Sequence, residues 1–494
     1  MGLIDYVALT FVLVSAYIFM SLTRSDQPFR LNTFFFNAHL TNGKKFGASV
    51  AAASTSLATV VVFFITGVEQ YGIFLVWCGI TYFTGQFGLL YLLKKGNIES
   101  SNLTTLSDFW LSYSKGKISA KVISFLTIFA FSFMLFIELF IGSQILNYYL
   151  EGESIWLRLL SFILLLLIVS VYVFRGGMYA VFKSDLWQYI LMLISIIALA
   201  FVSFTYAISV SDTPPSWSSV YEINDNLELT AFLIWVTIQN LTLPFTQLSS
   251  WQRLASTDSV ETALKGLRDI STGFLILWIL PVISMLLFKA YGIQFSNISQ
   301  FFDFLRNSNE LLIYVSFAVI FVGFTSALFS TADSALIACA LSLSDKSTFK
   351  DIFSNRTYKE SKFIILLFIG LIIILESFLF YAFSNQATSS FLSIVYVVFS
   401  QLSLIAPLTG YIIYNVVKRN RIYVLSKLQD TVIAIGLVSG WLTLFIFNFY
   451  GNRYHLNSNL SIMLGSFVGM AISGSLLAFS ILVLRPRNTE MTYD

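Results

Sequence analysis

The stretch Gly47-Ala48-Ser49-Val50-Ala51-Ala52-Ala53-Ser54-Thr55-Ser56-Leu57-Ala58-Thr59 decides the fold. It lies in an apolar run of membrane-span length, yet its middle is built from small and hydroxylic residues. Two readings fit such a segment. Small residues let helices approach closely in lipid. Alternatively the helix unwinds at mid-membrane and frees carbonyls that can hold a cation, and irregular backbone survives at that depth only where it lines a cavity.

The rest of the chain makes the bilayer its solvent. Of 494 residues, 57% are hydrophobic and 11% charged, and the mean hydropathy is +0.79. An ordinary soluble chain is about 45–50% apolar and about 25% charged. This excludes a soluble multidomain protein, a disordered chain and a nucleic-acid binder, the net charge being only +3. Two cysteines and two histidines, far apart in sequence, give neither a disulfide framework nor a zinc site.

At about 20 apolar residues per span, thirteen spans are expected, starting near Leu3, Phe46, Tyr71, Lys121, Leu157, Ser184, Leu229, Thr272, Leu311, Phe363, Phe391, Thr431 and Leu460. The first follows no basic segment and ends at no small-residue cleavage site, so it reads as a retained span. Loops on alternating sides carry 25 of the 29 Lys and Arg on one side. The positive-inside rule then puts the N-terminus outside and the C-terminus inside. This all-α polytopic membrane protein reads as one integral domain over 1–494, multi-pass in the plasma (cell inner) membrane, with the lipid bilayer as its surroundings.

Two further segments break the apolar pattern. The seventh span contains Gln239-Asn240-Leu241-Thr242-Leu243-Pro244-Phe245-Thr246-Gln247. Interrupted helices at matching positions of two halves point to a transporter site between inverted repeats. The ninth span ends Ser330-Thr331-Ala332-Asp333-Ser334. Its hydroxyls are hard oxygen ligands with too few carboxylates for calcium, which suits a monovalent ion; hydroxyls bonding back to their own helix are the competing reading. Acids within spans are functional candidates by default. They are Asp185, Glu138 and Glu376, with Glu69 at the border of the second span; Glu138 and Glu376 also read as a buried structural pair.

Gly176-Gly177-Met178-Tyr179-Ala180-Val181-Phe182-Lys183-Ser184-Asp185-Leu186-Trp187-Gln188, Gln252-Arg253-Leu254-Ala255-Ser256, Ser330-Thr331-Ala332-Asp333-Ser334 and Pro407 together resemble, in order and spacing, the sodium:solute symporter family. That family includes sodium–glucose, proline, pantothenate and sialic acid transporters. The resemblance implies a LeuT-type core of five plus five inverted spans over 46–417. An extra helix and loop over 1–45 would precede it and two extra helices over 418–494 would follow. It also implies sodium-coupled import of a small polar organic solute by alternating access.

By the same resemblance, the family's common sodium site falls on the carbonyls of Ala52, Thr55 and Ala327 and the hydroxyls of Ser330 and Thr331. A second sodium would fall on Asp185, Ser330, Asp333 and Ser334, although the family often has Ser-Ser at the last two positions. One or two sodium ions, and no organic cofactor, are implied. The solute is expected at Ser54, Ser56, Thr59, Gln239 and Gln401. Sugar-type members carry a Glu-Gln pair where this chain has Ala58 and Thr59. Sialic acid carriers use an arginine where this chain has Phe140. Both departures favour a neutral or zwitterionic solute. A nucleophile–base pair or metal cluster that would make a membrane enzyme is not found in the spans, and no obligatory protein partner is evident. A solute sensor or signalling subunit on the same fold, and a proton-coupled carrier, are the alternatives.

Overall fold

The computed structural model describes residues 35, 42–96, 105–111, 114–149, 155–210, 214–221, 225–308, 311–344, 370–371, 374, 389–417, 424–453 and 458–484. Among them regular structure is helical, apart from one isolated parallel bridge between Ser114 and Leu425. Nine stretches of the described residues are long and apolar enough to cross a membrane. Val60–Lys95 and Ile155–Ser209, at 36 and 55 residues, each hold parts of two expected spans. The first of the thirteen expected spans lies outside the described residues, as do the tenth, apart from 370–371 and 374, and Glu376.

The second span is broken. Helix α1 (Gly43–Ser54) starts at Asn42, whose side chain accepts the Lys44 amide at 3.0 Å, an N-cap bond. It stops because the hydroxyls of Ser54 and Thr55 donate back to Val50 O at 2.7 Å and Ala51 O at 2.8 Å. Such local bonds compete with the helical ladder. Thr55 leaves helical geometry at φ −95, ψ 75. The chain resumes as a π turn over Leu57–Val62, then α2 (Phe63–Tyr71).

Helix α3 (Val76–Lys95) is followed by the short α4 (Leu106–Leu111), then α5 (Ile118–Tyr149). The first amide of α5 is capped from a distant helix: buried Asp430, near the start of α15 (Lys427–Arg453), accepts Ile118 N–H at 2.9 Å. Helix α6 (Ile155–Ser209) contains two spans joined at Gly177, whose φ of 54 and ψ of −145 only glycine adopts without strain. Helix α7 (Asn226–Thr246) starts at the Asp225 cap and runs unbroken past Gln239 and Asn240, with Pro244 in its last turn. The interruption expected in Gln239–Gln247 falls on its last residue, Gln247, which is extended (φ −81, ψ 107) and leads into α8 (Leu248–Ala255).

The remaining helices are α9 (Val260–Asp269), α10 (Ser271–Ala290), α11 (Ile298–Arg306), α12 (Leu311–Ser344), α13 (Ser389–Ser403), α14 (Ala406–Val417) and α16 (Ser458–Leu482). Pro407 sits in the first turn of α14, where its missing N–H does no harm. Helix α12 packs along α6 and α5, α3 along α7, and α15 along α16. Helix α1 packs on α9 and α6, with α12 also touching it, whereas α2 packs mainly on α10. The α1–α9 contact is backbone on backbone: a Cβ added at Gly266 would stand 1.8 Å from Gly43 O.

Candidate functional site

The break in the second span is held from three sides. On the first side the carboxylate of Glu138, wholly buried in the middle of α5, accepts the Leu57 amide at 3.2 Å and the Ala58 amide at 3.3 Å, and the Ser56 hydroxyl as well. These are donors that the interrupted helix leaves without carbonyl partners. Glu138 therefore serves the break itself. Ser56 is engaged by Glu138 and is not among the residues lining the cavity described below.

On the second side lies a buried charge cluster. Arg253, in α8, donates from Nη2 to Asp185 Oδ2 at 2.9 Å and to Ser334 Oγ at 2.7 Å, and from Nε to Ser49 Oγ at 2.8 Å. Arg253 and Asp185 are 1% and 0% exposed as side chains, so this is a buried ion pair. Asp185 also accepts the hydroxyls of Ser330, at 2.7 Å, and Ser49. Four elements, α1, α6, α8 and α12, thus meet on one carboxylate. Asp333 is turned to another partner: Tyr172 Oη donates to it at 2.6 Å and Ser334 Oγ at 3.1 Å. In the sequence Arg253 is marked only by its place in the Gln-Arg motif.

On the third side are the hydroxyls of α12, a helix packed against both α1 and the π turn. Ala52, Thr55, Ala327, Ser330 and Thr331 are all buried. Ala52 O accepts the Thr55 amide at 3.1 Å, which leaves one carbonyl lone pair available. The Thr331 hydroxyl is buried with no hydrogen-bond partner among the described residues. A buried hydroxyl without a partner is costly in a folded protein.

Beside the break lies a cavity. Ser54, Phe63, Trp235, Gln239, Trp278 and Tyr396 are among the residues lining it. Its aromatic wall is organised: Trp278 stacks on Tyr82 at 4.6 Å, and Tyr396 meets Trp235 edge-on at 5.0 Å. Of the residues read from sequence as solute contacts, Ser54 and Gln239 line this cavity. Gln401 is buried outside the lining, both its amide atoms lacking partners among the described residues. The side chain of Thr59 lies outside the described residues.

Sequence reading missed the cluster above the aromatic wall. Tyr71 Oη shares a 2.9 Å hydrogen bond with Tyr396 Oη, donates to Glu228 at 3.0 Å, and its ring stacks on Phe232 at 4.0 Å. Gln70 also bonds Glu228. No periodic signal marks these residues, since each looks like an ordinary helix-end polar group. Nearby, Lys289 reaches the α2 end and donates to Val68 O at 3.3 Å and Glu69 O at 3.2 Å.

No protein-family model and no curated protein sequence matches the chain. Solved structures do. The chain is similar over 97% of its length to a Na+-coupled sialic acid symporter in a substrate-bound outward-open state, of which 98% is covered, at a TM-score of 0.64 and 14% identity. It is similar over 92% of its length to a manganese transporter of Eremococcus coleocola, 99% covered, at a TM-score of 0.57 and 15% identity. It is also similar over 90% to Mhp1, a nucleobase-cation-symport-1 family transporter, 94% covered, at 0.52 and 13%. At these identities the likeness is one of fold, and the fold is that of LeuT.

Proposed function

We propose that the protein is a sodium-coupled secondary transporter that imports a small polar organic solute across the cell membrane by alternating access. The reading is supported by the likeness to LeuT-fold transporters. The observation that carries it is the buried Thr331 hydroxyl, without a hydrogen-bond partner among the described residues, on the helix packed against both sides of the break. Sodium, as co-substrate, would take Ala52, Thr55 and Ala327 carbonyls with the Ser330 and Thr331 hydroxyls. Neutral oxygens of this kind bind a monovalent ion reversibly, as transport requires.

A single sodium fits the geometry better than two. Asp185 and Ser334 are both bonded to Arg253, and Ser330 to Asp185. The guanidinium already supplies the positive charge that a second sodium on Asp185, Ser330, Asp333 and Ser334 would bring.

The test uses purified full-length protein. Its melting temperature is recorded in sodium and in choline, each with a panel of sugars, polyols, amino acids and organic acids. A ligand that binds only the folded state raises stability by mass action. A sodium-specific rise, to which one solute adds only in sodium, and a Hill coefficient near one for sodium are expected. Sodium-gradient-driven accumulation of that solute in proteoliposomes completes the test. A solute response independent of sodium would replace this reading with a proton-coupled carrier, and binding without accumulation would replace it with a sensor.

A further inference from the structure

Two polar atoms carried by the cavity lining are left over. Gln239 donates its Nε2 to Phe399 O at 2.7 Å, and its Oε1 is buried with no partner among the described residues. The indole Nε1 of Trp278 is likewise buried and unpartnered there. Other polar linings make bonds within the protein. Asn240 donates to Cys78 O at 3.0 Å and Thr81 at 3.1 Å. Gln247 accepts from Tyr82 at 2.9 Å, and Ser54 donates to Val50 O at 2.7 Å. The lining residues therefore carry one acceptor and one donor that have no partner among the described residues, set among aromatic rings. No acidic or basic side chain is among the residues lining the cavity.

The charge preference is set beside the cavity. In broken-helix transporters the amides opening a half-helix are the natural seat for an anionic solute group. Here Glu138 already accepts from the Leu57 and Ala58 amides. A solute carboxylate would find those donors taken by a like charge. A solute ammonium would have to leave water for a wall without a carboxylate, since Glu138 is turned to Ser56 and the backbone.

We propose that the cavity selects an uncharged, ring-shaped solute bearing both a hydrogen-bond donor and an acceptor, as in a ring carboxamide or cyclic imide. The donor meets Gln239 Oε1 and the acceptor meets Trp278 Nε1. Glu138 is the chain's own anion, and it excludes carboxylates by occupying the break. This rests on the reading of the cavity as the solute site.

The probes are matched sets on one ring: nicotinamide, nicotinate and picolylamine; benzamide, benzoate and benzylamine; uracil and orotate. Each is added to the purified protein in sodium, and the melting temperature gives the affinity. At least one neutral member binds at least tenfold more tightly than its charged counterparts. Gln239→Leu and Trp278→Phe each weaken that binding about tenfold, one hydrogen bond being lost in each. Glu138→Ala admits the corresponding carboxylate. Where that variant does not fold, the selectivity of the wild-type protein decides alone. Tighter binding of a charged member that still depends on Gln239 or Trp278 overturns the proposed class and leaves the cavity as the solute site. Binding that ignores both substitutions overturns the cavity itself. A lack of response to every neutral member overturns the class.

Discussion

Replacing Thr331 by valine separates an ion ligand from a structural hydroxyl. The two side chains have nearly the same shape, so the change deletes one oxygen and little volume. The Thr331 hydroxyl is 1% exposed as part of its residue and has no partner among the described residues. A buried polar group without a partner costs about 1–3 kcal/mol. Without sodium, Thr331→Val should therefore be at least as stable as the wild type, by up to about 1–3 kcal/mol. Sodium shifts the balance toward the wild type. At a sodium concentration of about 100 Kd the wild type gains about 2.7 kcal/mol from binding. Losing one ligand oxygen and tenfold in affinity leaves the variant a gain of about 1.4 kcal/mol.

The assay is thermal unfolding in detergent across a sodium series at constant ionic strength, with choline as the replacement. The expected outcome is a higher or equal melting point in choline and a halved sodium increment. An unchanged sodium increment would refute Thr331 as a ligand. A fall of stability in choline by a kilocalorie or more would show that the hydroxyl is a structural bond, and the argument from its lack of a partner would fail with it.

Two further substitutions test the frame around the break. Arg253→Gln leaves the Asp185 carboxylate buried without its cation, which should cost about 3–5 kcal/mol; the double variant with Asp185→Asn should recover most of that loss, and strictly additive losses in unfolding assays would refute the pairing. Gly266→Val drives a Cβ to within 1.8 Å of Gly43 O, so α9 must move off α1; a loss of about 1–3 kcal/mol or more is expected, and a variant that melts with the wild type would contradict the backbone contact.

Much of this is legible in the sequence. The apolar spans follow from composition and length, because lipid leaves helices few alternatives. The second-span break was visible as Ser54-Thr55-Ser56, since hydroxyl residues side by side can satisfy carbonyls locally. The seventh-span interruption falls at the last residue of the stretch that pointed to it, Gln247. Gln239 and Asn240 looked too polar for an unbroken helix, but Asn240 finds Cys78 O and Thr81 on α3, so α7 holds to Thr246 and the chain turns at Gln247. What could not be read were partners far apart in sequence. Glu138 lies 82 residues from Ser56, and Arg253 lies 204 residues from Ser49. A lone charge in a sequence carries no mark of which neighbour the fold will bring to it.

Those distant partners divide the broken span into two differently anchored halves. The first half, α1, is fixed by Ser49 to the Asp185–Arg253 pair and by glycine contact to α9. The second half is fixed by Glu138 at its beginning and by Lys289 at its end, on α5 and α10. Between them stand only Thr55 and Ser56, in non-helical backbone. A hinge at this point has little of its own ladder to break, because Ser54, Thr55 and Glu138 already satisfy the groups that a continuous helix would pair. An ion held at once by carbonyls of the first half and hydroxyls of α12 would tie α1 to α12. A solute touching Ser54 on one half and Phe63 on the other would tie the halves to each other. On the proposed reading this is the physical content of coupling: each ligand fixes a contact across the same hinge, so the second to bind meets a site the first has already ordered.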